Sequence, residues 1–132
     1  MTEPNTLRSL DHIGFAVTDF AKSKAFYTAV LGTLGMAIVG EGEGWAEMGR
    51  DGRHEFWFGA LGTPPGPIHL AFTARTRDEV HAFHAAALAA GGRDNGRPGL
   101  RPQYHPNYYG AYVLDPDGHN IEAVCHDEPG TA

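Results

Sequence analysis

Three side chains able to hold a divalent cation fall where a sheet can present them. They are His12 in Leu10-Asp11-His12-Ile13-Gly14-Phe15, His69 in Ile68-His69-Leu70-Ala71-Phe72, and Glu122 in Asn120-Ile121-Glu122-Ala123-Val124. Two imidazoles and one carboxylate make a facial triad with vacant positions, through which Fe(II) or a similar ion takes a bidentate oxygen ligand. An internal repeat makes the two histidines equivalent. At an offset of 57 residues, His12-Ile13-Gly14-Phe15 falls on His69-Leu70-Ala71-Phe72 without a gap. The match continues with Ala25-Phe26 on Ala82-Phe83, Ala29 on Ala86, Leu31 on Leu88 and Gly35 on Gly92. Two copies of one supersecondary unit are implied.

The elements that must position these residues follow from a change of hydrophobic period within each copy, from two to about 3.6. In the first copy Ile13, Phe15 and Val17 alternate with small or polar residues, as on a strand with one apolar face. Asp19 then caps a helix bearing Phe26, Tyr27, Val30, Leu31 and Leu34 on one side, and Gly35 ends it. The second copy has Leu70 and Phe72, a capping box Thr76-x-x-Glu79, then Val80, Phe83, Ala87 and Leu88 before Gly91-Gly92. Further strands are expected at Met36–Val39, Trp45–Gly49 and His54–Leu61, and at Tyr109–Leu114 and Asn120–His126.

Both copies therefore read βαβββ. The fold class is α+β, two βαβββ modules forming a curled mixed sheet around a metal-binding cleft. One domain, 1–132, holds module one at about 10–61 and module two at about 67–126. The histidines lie on the strand face opposite the helices, a face lined by the small residues Gly14, Ala16, Ala71 and Thr73, which leaves space for a ligand. After the turn Asp115-Pro116-Asp117-Gly118, Ile121 and Ala123 face the helices, so Glu122 points to the histidine side.

Composition narrows the partners. Ten Lys+Arg against 16 Asp+Glu give a net charge of −6, and no basic cluster is denser than Arg97 to Arg101. Nucleic acid and anionic membranes are thereby disfavoured, and a small-molecule substrate is expected. No run reaches the roughly 18 apolar residues of a membrane span, and Met1 to Ser9 lacks the order of a secretion signal, so a cytoplasmic protein is expected. Cys125 is the only cysteine, which excludes an internal disulfide and leaves His and carboxylate as metal ligands.

Together with Ser23-Lys24-Ala25-Phe26-Tyr27 and Asp115-Pro116-Asp117-Gly118-His119-Asn120-Ile121-Glu122, the histidine segments resemble the vicinal oxygen chelate superfamily of glyoxalases, bleomycin resistance proteins and extradiol dioxygenases. The resemblance runs from about Leu10 to His126. It implies a divalent metal ion (Fe, Mn, Ni, Co or Zn) on His12, His69 and Glu122, a homodimer, and a metal-dependent enzyme that chelates vicinal oxygens of its substrate. The implied chemistry is of lyase or isomerase type, or ring cleavage.

Glyoxalase-type members usually add a fourth ligand, a carboxylate or amide on the last strand of the first module. Here Phe56 or Trp57 stands there, depending on register, and Glu55 serves only if the register slips by one. Extradiol dioxygenases resemble the chain through the spacing of His105, Tyr112, Asp115-Pro116-Asp117-Gly118 and Glu122, although Gln103 and Ala111 depart from their pattern. That likeness implies His105 as an acid/base near bound oxygen, Tyr112 as a donor to substrate, and Glu122 as ligand. A third reading is a drug-binding protein like the bleomycin resistance proteins, without catalytic metal; the intact triad argues against it.

The remaining chemistry-bearing residues are secondary. The Pro-braced loop from Arg97 to Tyr109 can wall the cleft, with Arg97 or Arg101 holding an anion and Tyr104 and Tyr108 stacking on a planar substrate. Trp57 is a further candidate substrate contact, though tryptophans such as Trp45 and Trp57 more often pack in a core than serve as a ligand platform. His81 and His84 are expected on the solvent side of their helix, and His119 and His126 in solvent. His54 shares the face of Phe56, and Cys125 is expected buried opposite Glu122.

Overall fold

A computed structural model describes residues 9–129. The element order is β1 (Ile13–Ala16), α1 (Phe20–Gly32), β2 (Ala37–Gly42), β3 (Trp45–Gly49), β4 (Phe56–Gly59), β5 (His69–Thr73), α2 (Arg77–Ala89), β6 (Arg93–Leu100), β7 (Tyr109–Leu114) and β8 (Asn120–Cys125). Each βαβββ module forms its own four-stranded mixed sheet, β1-β4-β3-β2 and β5-β8-β7-β6. In both, the first and last strands of the module pair in parallel and the other pairs are antiparallel.

The helix ends obey local chemistry. Asp19 accepts a hydrogen bond from the Lys22 amide at 3.1 Å, and Thr76 Oγ1 accepts one from the Glu79 amide at 3.1 Å. The Glu79 carboxylate reaches back to the Arg75 amide at 2.8 Å, one residue before the cap itself. Gly35, at φ +82°, makes the left-handed turn after α1 that lets the Met36 amide reach the Leu31 carbonyl.

One apolar core joins the two modules. Phe56 sits at its centre, fully buried, with its ring centroid 5.4 Å from Phe15, 4.9 Å from Tyr27 and 5.6 Å from Phe72. Phe26, Val30, Leu31, Phe83, Val113 and Ile121 are among the other members of the cluster. A buried polar seam crosses the same boundary. The Tyr27 hydroxyl donates to Asp115 Oδ2, while Asp115 Oδ1 accepts from the amides of Asp117 and His119. Burial first, and then the Asp115 charge, hold the Tyr27 phenol well above its ordinary range, so it stays a donor.

Four sequence expectations change. Arg93–Leu100 is a strand, so the loop proper begins at Arg101. Its Arg-Asp-Asn-Gly-Arg-Pro-Gly-Leu sequence shows no alternation because β6 is an edge strand with register shifts at Asp94/Gly96 and Gly96/Gly99, where Pro and Gly are tolerated. His84 is buried and bonded to Asp94 Oδ1 at 2.9 Å, while Leu88, expected inside, is exposed. His119 is also fully buried; its Nδ1 accepts from the Ile68 amide and its ring packs on Phe15.

Candidate functional site

Glu122 occupies an interior strand, with β5 on one side and β7 on the other, in register with Ala71 and Tyr112. Ile121 and Ala123 enter the core, as the alternation requires, yet Glu122 is itself wholly buried. A buried carboxylate is costly unless its oxygens find donors. Here Oε1 is 2.8 Å from His69 Nε2, and Oε2 accepts from the Tyr108 hydroxyl. Gly110 makes the room: a methyl there would lie 3.3 Å from Oε2. The His69 side chain is 53% exposed, so the buried carboxylate connects to solvent through its imidazole.

Tyrosines surround this pair. Burial and the adjacent Glu122 carboxylate raise the Tyr108 phenol far above its ordinary value, and the same two causes raise Tyr112. Both stay protonated and act as hydrogen-bond donors across the working pH range. Arg101 lies over the Tyr112 ring at 5.3 Å, its guanidinium donating to the carbonyls of Gly99 and Arg97. Tyr104 packs on Tyr108 at 4.8 Å and is 61% exposed. His105 Nδ1 accepts from the Asn107 amide, so its Nε2 carries the proton shared with His126 Nδ1 at 2.7 Å. That bond ties the loop to the chain just beyond β8.

The first sheet carries the other predicted residues. His12 is bonded to Asp11 at 2.8 Å, and its side chain is 61% exposed. The Asp11 carboxylate holds its imidazole above the ordinary value, and Glu47 adds to the effect. Gly14 of β1 is in register with Trp57 of β4, as Ala71 is with Glu122, so the structure selects Trp57 over Phe56 as the counterpart of Glu122. Glu55 instead accepts from the Arg50 amide at 2.9 Å. A cavity of about 410 Å³ opens between the β1 and β5 segments, lined by Leu10, His12, Arg50, Glu55, Leu70 and Phe72 among others.

The chain thus brings together His69, Glu122, Tyr108 and Tyr112, with Arg101 and Tyr104 beside them. His12 and Trp57 stand on the other sheet. Among the described residues no three His, Cys, Asp or Glu side chains converge on one point. Sequence reasoning missed the Tyr108–Glu122 bond and the pairing of His54 Nδ1 with Glu47 at 2.7 Å. His126, expected in solvent, is exposed, and the bond it makes with His105 was not anticipated. The 14-residue separation of Tyr108 and Glu122 carries no local period that would have revealed their contact.

The family model described as the Glyoxalase/Bleomycin resistance protein/Dioxygenase superfamily matches residues 9–123. The chain belongs to this superfamily. Among its solved structures, a glyoxalase/bleomycin resistance protein from Albidiferax ferrireducens T118 is similar over 89% of this chain and 99% of that one, at 31% identity and a TM-score of 0.79. A glyoxalase-related enzyme from Fulvimarina pelagi is similar over 90% and 88%, at 22% identity and 0.69. A glyoxalase/bleomycin resistance protein/dioxygenase family enzyme from Burkholderia phytofirmans PsJN is similar over 91% and 100%, at 18% identity and 0.69. The last two share the fold. Comparison with curated proteins gave no match. Among the described residues no helix is long and apolar enough to cross a membrane.

Proposed function

We propose that this superfamily member is a metal-dependent enzyme that chelates vicinal oxygens of a small substrate. Its ion is held by His69 and Glu122 of one chain and by His12 of a second copy. The buried Glu122 carboxylate, held by His69, carries the reading. Donor atoms 2.8 Å apart suit two ligands of one ion, each at about 2.0–2.2 Å from it. Imidazole plus carboxylate suits Fe, Mn, Ni, Co or Zn.

A homodimer would supply what one chain leaves incomplete. β1 and β5 each pair on one side only within their sheets. His12 precedes one of these edges and His69 begins the other, so a second copy that sets its β1 beside β5 adds the third donor.

When bound, the ion supplies Lewis-acid polarisation and a template for two adjacent oxygens. The chain's residues do the remainder. Tyr108 holds Oε2 of Glu122, leaving Oε1 as the donor atom. The Tyr112 phenol donates to an oxygen of the substrate. Trp57, standing where a fourth carboxylate ligand would be, leaves positions open for the substrate's oxygens.

Calorimetric titration with Mn, Co, Ni, Zn and, anaerobically, Fe(II) tests the reading. The wild type binds one ion per chain; His12→Ala and Glu122→Gln each lose it. Unfolding and refolding the two variants together restores binding to about a quarter of the wild-type stoichiometry, because half the dimers then carry one intact site. No stoichiometric binding by the wild type sinks the metalloenzyme, and no recovery on mixing sinks the shared site.

A further inference from the structure

Both tryptophans of the chain, Trp45 and Trp57, lie on the outward face of the first sheet. Along β3, Trp45 and Glu47 face out while Ala46 and Met48 are buried; along β4, Trp57 faces out between buried Phe56 and Phe58. Their side chains lie on a floor of glycine. A methyl at Gly42 would sit 2.3 Å from Trp45 Nε1, one at Gly59 2.9 Å from both Trp45 Cβ and Trp57 Cη2, and one at Gly14 3.1 Å from Trp57 Cβ. Any side chain at these positions displaces an indole. The sheet is therefore cleared to hold two partly buried indoles against its outer surface, apart from the core.

Between them stands a carboxylate. Glu47 is in register with Trp57 across β3 and β4. Its side chain is 18% exposed and bonded to His54 Nδ1. His54 lies next to Trp45, each 3.7 Å from where a Gly40 methyl would be. Indole faces attract flat rings and cations, and a partly buried carboxylate adds charge of the same preference. An anion is repelled by Glu47 and by the chain's net charge of −6.

We infer that this face is a binding subsite for a planar aromatic ligand carrying a cationic nitrogen. The rings stack on Trp45 and Trp57 and the nitrogen pairs with Glu47. As a statement about the substrate it rests on the function proposed above, since a shared site sets this face toward the metal. Binding of the ring is measured separately from metal.

The probes are proflavine, a planar cation, and 9-anthracenecarboxylate, a planar anion. Binding is read from dye polarisation and from quenching of tryptophan emission, which reports only this face. Proflavine binds saturably at one per chain, and the anion at least about tenfold more weakly. Glu47→Gln weakens proflavine about tenfold, and Trp57→Leu weakens it further. Should Trp57→Leu fail to fold, Glu47→Gln and the pair of dyes still decide.

His69→Ala loses metal and keeps proflavine, so either assignment fails alone. Equal affinity for both dyes, no saturable binding, or indifference to Glu47→Gln overturns the subsite. So does tryptophan emission that changes with protein concentration while proflavine is excluded, which would mean that a second copy covers the face.

Discussion

The two modules use equivalent backbone positions for opposite purposes. In the second, Glu122 stands beside Ala71 and is flanked across β7 by Tyr112; in the first, Trp57 stands beside Gly14 and is flanked across β3 by Glu47. Carboxylate and ring have changed places. A central carboxylate with phenols around it is a donor set for a cation, whereas a central indole with a carboxylate beside it is a surface for a ring. The helices repeat the lesson. Tyr27 and His84 are equivalent at the 57-residue offset, and each buries a polar ring that binds an aspartate. Tyr27 reaches Asp115 in the other module, and His84 reaches Asp94 in its own. Duplication preserved the slots and let their chemistry diverge.

Four substitutions test how far that equivalence holds. Phe56 and Ile121 are counterparts in the core, but Phe56 also touches rings from β1, α1 and β5. Phe56→Ala is expected to cost about 3–5 kcal/mol in urea unfolding, toward the upper end because it opens both modules. A loss no larger than that of Ile121→Ala would show that the modules do not share one core.

Tyr27→Phe removes the donor to a buried carboxylate, and a loss of about 1–3 kcal/mol is expected by the same measurement. An unchanged midpoint would make the seam between modules energetically neutral.

Trp57→Glu places a carboxylate at the position of the first sheet equivalent to that of Glu122 in the second. Metal affinity is expected to rise about tenfold in calorimetry, as a fourth ligand would bring. Unchanged affinity breaks the correspondence of Trp57 with Glu122 in the assembled site. The smallest effect belongs to Asp94, whose carboxyl is held below its ordinary 3.8 by His84 and then by the Gly96 amide. Its folded value is depressed, so its contribution is present above that ordinary value and is lost as pH falls through the lowered one. Asp94→Asn should flatten the decline of thermal stability below about pH 4. A parallel decline in both proteins would remove the pair from the account.

Much of this was legible in the chain, and particular residues show why. Phe26, Tyr27, Val30, Leu31 and Leu34 are all fully buried, as their helical spacing requires, and Thr76 caps α2 as its box sequence requires. The inward turn of Ile121 and Ala123 directed Glu122 toward His69, and the two meet. Legibility failed where neighbours come from elsewhere. β6 is held as a strand by β7 against its own composition. His84 lies inside because Asp94 receives it, and Trp45 and Trp57 lie outside because glycines on the paired strands leave them space.

By itself the sequence determined the duplicated strand–helix units, the inward and outward sets of most strands, and the face of its strand on which Glu122 stands, because caps and alternation act over a few residues. The tertiary structure alone decided that Trp57 is the counterpart of Glu122, that Tyr108 holds the second carboxylate oxygen, and that His12 stands on the other sheet. Those outcomes depend on pairing and packing between segments that are not neighbours in sequence, and no local period encodes them.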